Sequence, residues 1–271
     1  MQSLEAELEQ ARDLSVSELA DAIESIGFEC TRCGACCTAE SGVDGGDPGM
    51  DGDDSATTVE DDTAGEAHTA TVFPDEVRTL RDRSSDDGSL SDEPREPADR
   101  EAVDGGPTGG EHVDEWRDVA RPMPYGLRED DDGDLEGETF EWALQTTACG
   151  DCVFYEEDEK GVGGCLAHED RPLICRTYPF SVALAGTSQP MGEAVDEEGI
   201  VRAHECEGLG RDISRTDAKE LADALKERAV RELEEAIAVR DNYDPASAGT
   251  ANVVVHDSEG AKRIDGTPIE E

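Results

Sequence analysis

Four cysteines fall within eight residues, Cys30, Cys33, Cys36 and Cys37 in the run FECTRCGACC, and five more follow at Cys149, Cys152, Cys165, Cys175 and Cys206. A C-x2-C turn folds back so that two thiolates converge on one ion, a spacing shared by tetrahedral zinc sites and iron–sulfur clusters. The first three cysteines have ferredoxin spacing, but Cys37 follows Cys36 directly, so the x3-C-P that completes that pattern is missing. Adjacent side chains diverge by about 100° on a helix and point to opposite faces of a strand, so Cys36 and Cys37 are expected to serve neighbouring sites, or one of them to pack as a plain thiol. Nine sulfurs suffice for two four-ligand sites, or for one site with spares. A purely stabilising zinc is the plainer alternative. Disulfides are another, which the odd count disfavours.

Arg171 and Arg176 flank Cys175. Clustered thiolates are costly to bury without cations, so these two are expected to border the centre as cofactor-binding residues. The alternative is two ordinary surface arginines in a carboxylate-rich chain. His168 and His204 lie near Cys165 and Cys206 and are minor ligand candidates, while His68, His112 and His256 fall in weakly patterned sequence. Tyr178 and Phe180 read as packing around the site. The chain has no glycine-rich phosphate loop, no G-x-S-x-G and no H-E-x-x-H, so no catalytic residue is assigned.

The elements that must position these cysteines follow from periodicity. Residues 3–26 read as helix in two pieces, with a Ser15 and Glu18 capping box, Leu19, Ile23 and Ile26 on one face, and Gly27 as the stop before the first cysteine run. Val72, Phe73, Val77 and Leu80 suit a short helix with Pro74 in its first turn, and a helical stretch is expected near Trp116. Phe140, Trp142 and Leu144 alternate as a strand. Residues 152–166 read as a hairpin that sets Cys152 opposite, or nearly opposite, Cys165, with Cys149 closing in from the preceding turn. Pro172 starts a short helix carrying Cys175, and 181–185 reads as a further strand. Residues 213–240 form a long helix with Leu221, Leu225, Ala229, Leu233 and Ile237 spaced by four.

The expected fold class is α+β: a small, irregular, metal-stabilised cysteine-cluster domain over 1–240, with a short hairpin and flanking helices. Long acidic disordered inserts interrupt it at 40–68 and 82–115, and 241–271 is mostly a flexible tail with one strand at Val253–Val255. The first insert holds ten carboxylates, six glycines and no lysine or arginine.

The formal charge is 23 − 69 = −46. The acid is spread along the whole chain, a pattern that resembles halophilic proteins of salt-loaded cytoplasms, where a Debye length of about 3 Å at 1 M salt screens self-repulsion. Without a basic stripe, binding of nucleic acid is not expected. No segment is apolar enough to span a membrane, and the N-terminus is no secretory signal, so a cytoplasmic protein with reduced thiols is expected.

FECTRCGACC at 28–37, GGCLAHEDRPLICRTYPF at 163–180 and Cys206 with Gly208 together resemble the YkgJ-like cysteine-cluster family, also called the CxxCxxCC, or zinc- or iron-chelating, domain. The resemblance implies a metal ion (zinc or iron) or an iron–sulfur cluster on Cys30, Cys33, Cys36, Cys37, Cys149, Cys152, Cys165, Cys175 and Cys206. One branch of the family is linked to flagellin lysine N-methylation. A protein-modifying enzyme of that type is therefore an alternative, as is a zinc-stabilised interaction module with a partner protein. This chain departs from relatives at Cys206-Glu207-Gly208, where C-P-G is common, and in its long inserts.

Overall fold

Ser3 and Ser15 each turn a hydroxyl back onto the first helical turn that follows, accepting from Ala6 N–H and Glu18 N–H, and so open α1 (Leu4–Asp13) and α2 (Val16–Ile26). Gly27, at φ +77°, ends α2 in a conformation that favours glycine. The computed structural model describes residues 3–39, 67–86, 115–130, 133–184, 194–196, 199–247 and 249–269. The acidic stretches expected at 40–68 and 82–115 lie outside the described residues except at their edges, and so does His112.

After α2 come β1 (Thr71–Val72), α3 (Pro74–Asp86), α4 (Trp116–Val119), β2 (Ala120–Pro122), β3 (Leu127–Glu129), β4 (Leu135–Thr139) and β5 (Trp142–Leu144). The chain continues through β6 (Tyr155–Glu157), β7 (Gly163–Cys165), a 3-10 turn at His168–Asp170, α5 (Leu173–Thr177), β8 (Phe180–Val182), β9 (Ala194–Asp196) and β10 (Val201–His204). It closes with α6 (Arg215–Asn242), β11 (Val253–Asp257) and β12 (Gly260–Lys262). The protein is thus mixed helix and sheet. Among the described residues no helix is long and apolar enough to cross a membrane.

Two apolar cores divide the work. In the first, α6 lays Leu225, Ala229 and Leu233 against Leu19, Ala20 and Ile23 of α2, with Phe180, Val182, Val201 and Ala203 from the β8–β10–β9 sheet below. This core holds no cysteine. Arg228 of α6 is buried within it and donates to Thr177 Oγ1, to the Phe180 carbonyl and to Glu232. The second core gathers Val77 and Leu80 of α3 with Trp116, Trp142, Leu144, Phe154, Val253 and Val255, and Cys37, Cys152, Cys165 and Cys175 belong to it.

The C-terminal segment departs from the expected flexible tail. β11 pairs parallel to β4 and antiparallel to β12, within a sheet ordered β12-β11-β4-β3, and Val253 to Asp257 are all buried. Three consecutive valines supply enough apolar surface to offset the cost of ordering. The strand expected over 181–185 is β8, which begins at Phe180 and ends at Val182.

Candidate metal centre

Cys30 and Cys33 follow the end of α2 and are held by a backbone seam. Phe28 bridges Leu209, Glu29 N–H donates to the Gly208 carbonyl at 3.0 Å, and Gly210 N–H donates to the Gly27 carbonyl at 3.0 Å. The Phe28 ring meets Phe180 edge-on at 5.6 Å, tying this run to the chain beyond Cys175. Gly208 permits the approach: a Cβ there would stand 2.3 Å from the Glu29 carbonyl oxygen. Gly208→Ala is therefore expected to cost about 1–3 kcal/mol by overpacking and to separate Cys206 from Cys30 and Cys33. A chelator titration showing wild-type metal retention in this variant would refute that role for the seam.

Cys36 and Cys37 sit in a turn closed by Cys37 N–H donating to the Gly34 carbonyl at 2.7 Å. The expected divergence of the two side chains is not observed. Their sulfurs lie 3.7 Å apart, because the turn is neither helix nor strand. Two thiolates on one tetrahedral zinc, with Zn–S of about 2.3 Å, are separated by about 3.8 Å. The turn docks directly on the downstream half, with Cys152 N–H donating to the Cys37 carbonyl at 2.8 Å.

The hairpin forms, but its register differs from expectation. Tyr155, not Cys152, lies opposite Cys165, and Cys152 bridges Thr146. Cys152 N–H is committed to Cys37, which removes residue 152 from the strand. Cys152 and Cys165 nevertheless share the second core with Cys175, which α5 carries.

The thiols influence one another electrostatically. Burial pushes Cys152 up to about 12, and neighbouring Cys165 and Cys36 add to it. Burial raises Cys175 well above its ordinary value, with Cys152, Cys36 and Cys165 reinforcing the effect. The hydrogen bond with Cys37, followed by burial, raises Cys36. Burial raises Cys206 too, aided by Cys36, Cys33 and Cys30. Cys152, Cys165 and Cys36 thus act on Cys175, Cys30 and Cys33 act on Cys206, and Cys36 acts on Cys152, Cys175 and Cys206 alike. Cys149 is exposed, as are Cys30, Cys33 and Cys36, and sits in the turn closed by Gly150 N–H donating to the Thr147 carbonyl at 2.9 Å.

Of the two arginines flanking Cys175, Arg171 opposes the rise at Cys36, Cys165 and Cys175. Arg83 of α3 also acts on Cys165. One of its guanidinium nitrogens is buried without a hydrogen-bond partner. Sequence reasoning missed Arg83 because it is remote along the chain. The one available signal was its spacing of seven from Glu76, which places both on one helix face. Of the histidines, His168 is exposed, and His204 is buried with its Nε2 2.9 Å from Ser181 Oγ.

All nine thiols are free of disulfides. Among the described residues no three His, Cys, Asp or Glu side chains are already grouped so as to hold a metal ion. The donor set still fits one. Thiols that raise one another's pKa stay protonated until a cation arrives, whose charge then favours the thiolates. Residues 123–207 match the model of the CxxCxxCC family, described as a "Putative zinc- or iron-chelating domain". No curated protein and no solved structure matches the chain. The matched segment contains Cys149, Cys152, Cys165, Cys175 and Cys206 but not the 28–37 run that the fold packs against it.

Proposed function

We propose that this chain binds zinc or iron, as single ions or as an iron–sulfur cluster, through thiolates drawn from both halves of the sequence. The observation that carries this reading is the docking of the Cys36–Cys37 turn onto Cys152, which lies with Cys165 and Cys175 in the segment that matches the chelating-domain model. Cys152, Cys165 and Cys175 with Cys36 or Cys37 make one ligand group, and Cys30, Cys33 and Cys206 make an adjacent one. Cys149 lies at the margin. Arg171 offsets thiolate charge at the first group. Bound metal would supply the positive charge that keeps these thiols ionised, and the cysteine-free first core gives the α1–α2–α6 unit a basis for folding without it.

The deciding experiment is anaerobic purification in molar salt, followed by metal analysis and an absorption spectrum. Stoichiometric iron with absorbance near 400 nm supports a cluster, and colourless protein with stoichiometric zinc supports zinc thiolates. Protein carrying neither metal overturns the proposal.

The charge of −46 supports a halophilic, cytosolic setting for the same protein. Its melting temperature is expected to rise between about 0.2 and 3 M potassium chloride as carboxylate repulsion is screened. A fall over that range, followed by circular dichroism, would defeat this reading of the charge.

A further inference from the structure

Helix α3 lies outside the matched segment, yet its side chains hold the start of the helix that carries Cys175 and the turn that follows Cys165. Glu76 Oε1 accepts the Leu173 amide N–H at 2.9 Å, while Oε2 accepts that of Phe73 at 3.0 Å. Helix α5 starts at Pro172 with no side-chain cap of its own, so this carboxylate, 97 positions away, satisfies its first free amide. Cys175 lies two residues further on. Two turns along α3, Arg83 pairs with Asp170 at 3.5 Å, in the 3-10 turn that follows Cys165. Between them Val77 and Leu80 are buried in the core that contains Cys152, Cys165 and Cys175. Helix α6 fixes α3 in turn: Arg231 pairs with Asp75 at 2.5 Å and covers the Phe73 ring at 4.5 Å.

We propose that α3 is the positioning element of the thiol centre, with Glu76 setting the entry of the Cys175 helix, and Arg83 holding the turn after Cys165 and keeping an uncommitted guanidinium N–H for the thiolates. This rests on the metal-binding reading above. Groups that orient ligands and donate to their sulfurs govern affinity without touching the ion. The carboxylate of Glu76 serves two amides at once, a role glutamine can fill only in part, through its one carbonyl. Lysine in place of Arg83 keeps a cation but loses the fork that can bind Asp170 and still donate elsewhere.

The test uses the full chain, anaerobic, metal-stripped and in high salt, titrated with cobalt(II) as the probe. Thiolate-to-cobalt charge-transfer bands report the ligand set, and chelator competition gives the affinity. Glu76→Ala and Arg83→Met are each expected to weaken cobalt binding about 10- to 100-fold and to change the charge-transfer bands. Glu76→Gln and Arg83→Lys should restore part of the loss, with the circular dichroism of the metal-free protein unchanged. If Glu76→Ala does not fold, Arg83→Met carries the test, since an exposed ion pair is worth little to stability. Wild-type affinity and spectra in both variants would overturn the role of α3 while leaving metal binding intact. Failure of the wild type to bind cobalt, zinc or iron would overturn both.

Discussion

Cys175→Ser is expected to lower metal affinity by more than about 100-fold, beyond the range that supporting residues command. Its sulfur lies inside the second core, and Cys152, Cys36 and Cys165 all act on it. Serine offers a poor donor to zinc or iron and leaves the remaining thiols without the fourth partner that closes a tetrahedron. The loss should be local at first. Helices α1, α2 and α6 pack around a core that contains no cysteine, so circular dichroism should retain most of its helical signal in the metal-free variant. Cys149→Ser provides the contrast: an exposed thiol outside both groups should leave affinity close to wild type. Chelator competition on the two variants decides the matter. Equal retention of metal by Cys175→Ser and wild type would remove Cys175 from the ligand set.

Lys262→Met should destabilise the protein by about 3–5 kcal/mol. Lys262 Nζ donates to Asp257 Oδ2 and Glu259 Oε2, each at 2.7 Å, and the Lys262 and Asp257 side chains are only 4% and 1% exposed. Asp257 Oδ2 also accepts the Trp142 indole N–H at 2.8 Å. Methionine fills similar space but strands the Asp257 charge inside the β12-β11-β4-β3 sheet. Pairing the change with Asp257→Asn should recover part of the loss, because no unpaired ion then remains. Trp116 and Trp142, the chain's only tryptophans, both lie at this site, so denaturant melts followed by tryptophan fluorescence read it directly. A loss under about 1 kcal/mol would mean that water reaches the pair. Because Trp142 and Val255 share a core with Cys152, loosening this sheet should also weaken metal retention.

Much of the local structure was legible from the residues alone. Ser15, Gly27 and Pro74 mark helix limits by capping chemistry and fixed backbone angles, and α6 announces itself by its spacing of four. The cysteine types and spacing, with the R-P-x-x-C-R segment, point by themselves to a chelating domain. These features depend on neighbours within a few positions. What lay beyond reach depends on distant partners. The commitment of Cys152 N–H to Cys37 moves the hairpin register by three residues, from Cys152 to Tyr155 opposite Cys165. The Gly34 turn, not a helix or strand, sets Cys36 and Cys37 sulfurs side by side. Parallel pairing of β11 with β4 decides that the last segment is core. Above all, Glu76 reaches the first amide of α5, and Arg83 the turn after Cys165, only through the tertiary placement of α3. The sequence by itself determined which atoms can bind metal. The tertiary structure decided which of them meet, because convergence of sulfurs more than a hundred residues apart is set by packing and backbone hydrogen bonds that no local pattern encodes.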